Sequence, residues 1–283
     1  MDWFDETLHR DWVQRLAVAK VLFHAHSAHQ DIIIFENSRW GKVLALDGVV
    51  QTTTADEAAY HEMLVHPAIV AHGRVEDVLI IGGGDGGSLR EVLKHQGVHR
   101  VLQIEIDQGV IDLCRQYLPE LSQGAFDDPR ATVSIEDGAR YVRESSDDFD
   151  VIIVDSTDPI GPGEILFSRE FYRYCHARLR EGGILITQSG NPAVAAHELS
   201  QGQQRLREAG FLDVSFLLTS VPTYVGGVMA LAWASDDRTL RELSRNTIAE
   251  RLIPNGLRYY NPAVHEAAFA HPNWMKQLAG HKY

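Results

Sequence analysis

The chain is poor in cysteine, in positive charge and in long apolar runs, and each shortage excludes something. Cys114 and Cys175 are the only cysteines among 283 residues; they lie in separate helical-looking stretches, and no CxxC pattern occurs. A disulfide framework is excluded, and a reduced, cytoplasmic setting is expected. Lys and Arg number 26 against 39 Asp and Glu, a formal charge of −13. That surface repels phosphate backbones, so nucleic acid is a poor partner and a cation a better one. No apolar run reaches the roughly 20 residues of a membrane helix, so no membrane partner is expected. Met1–Glu6 has neither the basic nor the apolar part of a signal peptide. Internal repeats and low-complexity linkers are also missing. His61-Glu62-Met63-Leu64-Val65-His66 is not HExxH, because the second His comes one residue late. His24, His26 and His29 resemble a metal cluster, but no Cys or carboxylate completes the set, so no metal is expected.

What is present divides into two rhythms. Hydrophobic residues make up 45% and charged residues 23%, enough apolar material for a sizeable core and too little charge for global disorder. The first sixty residues read as short antiparallel strands: Val18–Phe23, Asp31–Phe35, Lys42–Leu46 and Val49–Thr53. Asp47-Gly48 marks a two-residue hairpin, since both positions want positive φ. From Tyr60 onward a helix, Tyr60–His72, precedes strands alternating with helices, the signature of a doubly wound parallel sheet. Val78–Ile81 and Val151–Val154 are continuously apolar, as strands covered on both faces are. Phe211–Val221 and Gly227–Ala234 close the sheet as an antiparallel pair. The expectation is a Rossmann-like α/β domain over 60–283 carrying a small N-terminal antiparallel β domain over 1–59.

Four constellations could carry chemistry. Gly82-Gly83-Gly84-Asp85-Gly86-Gly87 joins a strand to a helix, where glycines let the backbone approach a ligand. Asp85 stands where a pyrophosphate would lie and repels it, so a nucleoside with a cationic arm fits better than a dinucleotide. Glu105 follows at the spacing of a ribose-binding carboxylate. Asp107 is its rival, although it could equally cap the next helix. Asp137-Gly138 lies on the same carboxyl edge, where Asp137 could accept from an adenine amino group or simply cap the helix after it. The most informative stretch is Asp155-Ser156-Thr157-Asp158-Pro159-Ile160-Gly161-Pro162. It sets two acids, one a candidate general base, on a stiff turn after a buried strand, which suits a cationic substrate. Gln30 and Gln51 would pass as surface residues, and Tyr60 and Tyr224 as core aromatics.

These motifs together resemble the polyamine aminopropyltransferases of the bacterial spermidine synthase type. The resemblance spans essentially the whole chain and includes Gln30–Ile33, Leu46–Gln51, Tyr60–Met63, the glycine loop, Glu105–Asp107, Asp155–Glu164 and Pro222–Tyr224. It implies a methyltransferase-like Rossmann domain with a β leader, assembled as a homodimer or homotetramer. It implies that Gln30, Glu105, Asp137, Gly138 and Pro162 hold the methylthioadenosine part of decarboxylated S-adenosylmethionine, a co-substrate rather than a cofactor. Asp85 would take its aminopropyl amine. His61 and Asp158 would bind the polyamine, with Tyr60, Gln188 and Tyr224 lining the channel, and Asp155 would accept a proton from putrescine. Thr54, Ala55 and Ala58 depart from the family's pattern of an acid, an arginine and an aromatic, which puts the hairpin's packing and the channel mouth in question. The alternatives are an S-adenosylmethionine-dependent methyltransferase on the same fold, an aminopropyltransferase for cadaverine or agmatine, and a non-catalytic polyamine sensor.

Overall fold

Short turns build the first part of the chain and helical crossovers build the rest. The computed structural model describes residues 2–159, 161–251 and 253–278, without the side chains of 161, 162, 277 and 278. Strands β1 (Asp2–Asp5) and β2 (Arg15–Val18) form an antiparallel ribbon. Strands β3 (Lys20–His26), β4 (Asp31–Asn37), β5 (Gly41–Leu46) and β6 (Val49–Thr53) follow as a four-stranded meander. At the Asp47-Gly48 turn φ is 49° and 77°, and Leu46 pairs with Val49 as a two-residue hairpin demands. The β1–β2 ribbon is an addition to the strands expected from sequence. Its first strand is short and bounded by Asp2 and Asp5, so it shows little pattern; Phe4 and Leu16 pin the ribbon onto Phe35, Val43 and Val50.

Helix α1 (Glu57–His72) starts three residues before the expected Tyr60, so the expected 59/60 boundary falls in its first turn. Ala58 and Ala59 are strong helix formers and extend it backward. The alternating pattern then yields β7 (Asp77–Gly82), α2 (Gly87–Leu93), β8 (Arg100–Glu105), α3 (Gln108–Tyr117), α4 (Pro119–Ser122), β9 (Ala131–Ile135), α5 (Gly138–Glu144) and β10 (Phe149–Asp155). Next come α6 (Arg169–Ala177), β11 (Leu179–Gln188), α7 (Ala196–Glu208), β12 (Asp213–Ser220) and β13 (Val228–Ser235). The tail carries α8 (Arg245–Glu250), α9 (Pro262–Ala268) and α10 (Asn273–Leu278). The sheet order is β12-β13-β11-β10-β7-β8-β9; the last five are parallel, and β13 and β12 are antiparallel. Alternate strand residues face opposite ways. Val78, Ile80, Val151 and Ile153 pack toward α1 and the tail, while Leu79, Ile81, Ile152 and Val154 pack toward α5, α6 and α7.

The two sheets are tied through the segment that joins them. Asp56 accepts from the Thr223 amide (2.9 Å) and hydroxyl, the Tyr224 hydroxyl donates to the Gln51 carbonyl (2.7 Å), and the Gln14 amide donates to the Thr223 carbonyl. Glu62 accepts from the backbone amides of Arg258, Tyr259 and Tyr260, docking the tail on α1. The unusual residues at 54, 55 and 58 leave the hairpin paired. Thr53 stays opposite Val43, the Thr54 hydroxyl accepts from the Lys42 amide, the Ala55 carbonyl takes Arg258, and Ala58 is buried. Among the described residues no helix is long and apolar enough to cross a membrane.

Candidate active site

Parallel strands open at their carboxyl ends, and there a cavity of about 730 Å3 forms between the central sheet and the N-terminal strands. Its walls include Gln30, Tyr60, His61, Asp85, Glu105, Asp137, Gly138, Asp155, Asp158, Gln188 and Tyr224. Residues from eight separate stretches of the chain thus meet in one place. Pro162 belongs to a 3-10 turn, Gly161–Phe167, but its side chain lies outside the described set. The glycine loop is shaped by its fit to Asp155. Gly82 and Gly83 have φ of 85° and 68°, the Gly83 amide donates to the Asp155 carbonyl (2.8 Å), and a Cβ at Gly82 would collide with that same carbonyl.

At one end of the cavity the polar groups are densely paired. Asp155, at the last position of β10, accepts from the Tyr60 hydroxyl (2.9 Å) and the Ser88 hydroxyl (2.6 Å). Asp85 accepts from the Gly87 amide (2.7 Å) with one oxygen and lies 3.2 Å from His61 Nε2 with the other. His61 Nδ1 is 2.8 Å from Glu57. Burial works to lower the His61 imidazole, but Asp85 and Glu57 outweigh it and hold the ring well above its ordinary range, as an imidazolium. Burial pushes Asp155 upward; the His61 charge pulls it back, and Asp85 adds to the rise. Ligand atoms of His61, Asp85 and Asp155 lie within 4.8 Å of one another, the spacing of a metal cluster. Each nitrogen of the His61 ring already faces a protein carboxylate, Asp85 on one side and Glu57 on the other. His61, expected to contact a polyamine, lines the cavity wall beside Asp85.

Glu105 ends β8 in the same cavity wall, and among the described residues no cation stands beside it. It accepts from the Asp107 amide (2.9 Å), and burial pushes it up to about 7 against the pull of that amide and of Ile106. Asp107 fills the role of its rival reading: it caps α3 through Gly109 and also receives Ser27 and Gln30 (3.0 Å). Gln30 is therefore held inward rather than left on the surface. Asp137 caps α5, accepting from Ala139 and Arg140 with one oxygen, while it faces the cavity. Gly138 packs so closely on Ile81 that a Cβ would overlap it. In the loop after β10, burial raises Asp158 and the charge of Glu198 adds to it. Gln188 donates to the Thr157 carbonyl (3.0 Å) and steadies the same loop.

Several cavity groups escaped the sequence reading. Glu6 is 3% exposed; one oxygen accepts from the Val50 amide, the other has no partner among the described residues, and burial, with Asp158 adding, pushes it up to about 7. No local signal marks Glu6, because it enters the cavity only through the β1–β2 ribbon. Behind the cavity wall, Ser88 follows the glycine loop directly, and Glu57 stands one turn before His61, a spacing that shows only when α1 is begun at Glu57. On the surface, the carboxylate missing from the histidine cluster is Asp31. The β3–β4 pairing brings it to 3.1 Å from His24 and 3.4 Å from His26, each ring on a different oxygen, while the His29 amide donates to Ser27.

Comparison with known proteins agrees with this geometry. Residues 57–244 match the "Spermine/spermidine synthase domain" and residues 2–54 the "Spermidine synthase tetramerisation domain". The chain is 50% identical over 282 residues to polyamine aminopropyltransferase 1 of Pseudomonas aeruginosa, covering 99% of this chain and 98% of that one. It is 50% identical over 273 residues to the polyamine aminopropyltransferase of Escherichia fergusonii, covering 96% and 94%. Among solved structures, a spermidine synthase in complex with the transition-state analogue AdoDATO superposes with a TM-score of 0.92 at 39% identity, over 98% of this chain and 94% of that one. The spermidine synthase of Thermotoga maritima superposes with 0.89 at 37% identity, with the same coverage. On matches that span nearly its full length, the chain belongs to the spermidine synthase family of polyamine aminopropyltransferases.

Proposed function

We propose that the chain transfers the aminopropyl group of decarboxylated S-adenosylmethionine to putrescine, giving spermidine and methylthioadenosine, with Asp155 as proton acceptor. The observation that carries this reading is the placement of Asp155. It ends a buried strand, is oriented by two hydroxyls and stands beside Asp85, while Glu105 lines the same cavity. Glu105 and Asp137 suit the ribose and the adenine. Asp85 suits the aminopropyl ammonium, and the structure refines how: its charge is shared with His61, so it attracts less than a lone carboxylate. Asp158, with Glu6 beside it, suits the far ammonium of the diamine.

A primary amine is protonated at neutral pH and is not a nucleophile until it loses that proton. Asp155 accepts it, directly or through water, and the freed nitrogen attacks the propyl carbon next to the sulfonium. The C–N bond forms, the C–S bond breaks, and its electron pair neutralises the sulfur, leaving a thioether. The sulfonium is itself a good leaving group, so no metal or cofactor step is invoked. Assembly as a homodimer or homotetramer through the first 59 residues is supported by the exposed Trp3, Trp12, Val13 and Val21 on that part. A panel of putrescine, cadaverine, agmatine and spermidine, each assayed with decarboxylated and with intact S-adenosylmethionine, tests the reading. Methylthioadenosine release with putrescine and the decarboxylated form is expected. Methyl transfer from the intact form, or binding without turnover, overturns it.

A further inference from the structure

The site holds two neighbouring carboxylates, Asp85 and Asp155, and what keeps them side by side lies behind it. Glu57 is 5% exposed and never reaches the cavity. One oxygen accepts from Arg90 (2.7 Å) and stands 2.8 Å from His61 Nδ1, while the other is 3.4 Å from Arg258. Arg90 is 7% exposed and is itself fixed by Glu91 (2.7 Å) and by the Leu121 carbonyl (2.6 Å). Glu91 is also held by His66 and Lys94. On the far side of the imidazole, Gly87 leaves a gap that the ring fills, since a Cβ there would fall on His61. The ring therefore has one orientation, with Nδ1 toward Glu57 and Nε2 toward Asp85.

We infer that Glu57, gripped by Arg90, is a positioning residue for the transfer reaction: it fixes His61 so that one cation stands against both Asp85 and Asp155. This rests on the function proposed above. The physical need is plain. Two carboxylates within 4.8 Å of each other in a buried place repel, and one of them takes up a proton unless a positive charge lies between them. A protonated Asp155 is useless as a base. His61 supplies the charge, and Glu57 keeps it supplied from the side that substrate cannot reach. The charged and titratable groups around the ring are Glu57 and Tyr60 on α1, Asp85 in the glycine loop, Arg90 on α2 behind Glu57, Asp155 on β10, Tyr224 after β12 and Arg258 in the tail.

Two measurements on the full-length protein test this. The first is a side-chain nitrogen NMR titration of His61 in the wild type, which needs no activity. An imidazolium that persists well above the ordinary range of a histidine is expected; a neutral ring at pH 7 overturns the proposal. The second is the pH dependence of kcat/KM for the wild type, Glu57→Gln and Glu57→Asp. In Glu57→Gln the loss of the His61 charge makes Asp155 harder to ionise, so the acidic limb should move up by about one to two pH units, with Glu57→Asp moving it back. A uniform fall at every pH, with the limb unmoved and His61 still charged, assigns Glu57 a merely structural role and overturns the proposal. If Glu57→Gln does not fold, the wild-type titration still decides. If the wild type releases no methylthioadenosine, the functional reading fails while the His61 result stands by itself.

Discussion

Glu57 and Glu105 are buried on either side of the same glycine loop, 5% and 8% exposed, and they ionise in opposite ways. Burial raises both. For Glu57, His61 and Arg90 more than offset it and hold the carboxyl at about 2. Glu105 has, among the described residues, only the backbone amides of Asp107 and Ile106, and burial leaves it at about 7. Depth alone does not set charge; the partner does. Glu57 has its partners built into the protein. Glu105 lacks them, and the hydroxyls of a ribose are the donors that would complete it. Asp155 is raised by burial as Glu105 is, but it has a cation nearby, His61, that draws it back.

The largest expected effect comes from the third carboxylate in this comparison. Asp155→Asn keeps the Tyr60 and Ser88 contacts in shape and removes the base, so kcat should fall about 10²–10⁴-fold while nucleoside binding survives. Methylthioadenosine release and calorimetry check the two halves, and near-normal turnover would remove Asp155 from the mechanism.

A smaller effect should follow from breaking the pair that borders it. Asp85→Asn leaves His61 facing an amide, and affinity for the decarboxylated co-substrate should drop about 10- to 100-fold. Intact S-adenosylmethionine carries a carboxylate near the same amine, so its affinity should drop less and the gap between the two should narrow. Equal losses would place the selectivity elsewhere.

The smallest effect sharpens the contrast at Glu105. Ribose hydroxyls favour its charged form, so methylthioadenosine binding near pH 7 should release about half a proton. Calorimetry in two buffers of different ionisation heat reads this, and Glu105→Gln should abolish it. Stability carries the same contrast with opposite signs. The folded-state value of Glu105 lies above its ordinary 4.5, so its contribution is present in acid and is lost as pH rises through about 7. That of Glu57 lies below 4.5, so its contribution is present above that value and is lost as pH falls toward about 2. Thermal melts from pH 4 to 8 should therefore show a decline that Glu105→Gln flattens. An unchanged slope would mean that Glu105 is already ionised.

How much of this was legible depended on the range of each signal. The doubly wound sheet, the Asp47-Gly48 hairpin and the glycine loop rest on periodicity and turn chemistry within a few residues, and they are read correctly. Whether Asp107 and Asp137 act as caps or ligands was left open because the two roles use the same residue at the same place. The structure shows both capping with one oxygen, with the second oxygen of Asp107 bound by Ser27 and Gln30. Glu57 is missed through a boundary error: with the helix begun at Tyr60, its spacing to His61 carries no meaning. Glu6 and the Asp31 contact depend on strand pairing between segments whose register only the packed sheets decide.

The ties between residues 14, 51 and 56 and residues 223 and 224 have a consequence in time. Their partners lie 209, 173 and 167 positions apart along the chain, so closing them costs loop entropy that no local element repays. Helices and neighbouring strands can form while the loop is still open. The cavity wall made by Tyr224 and Gln51 exists only once the ends of the chain have met. On refolding, helical signal should therefore return before binding of the nucleoside co-substrate. During synthesis the first fifty residues must wait, their site unfinished, until the segment after β12 has emerged.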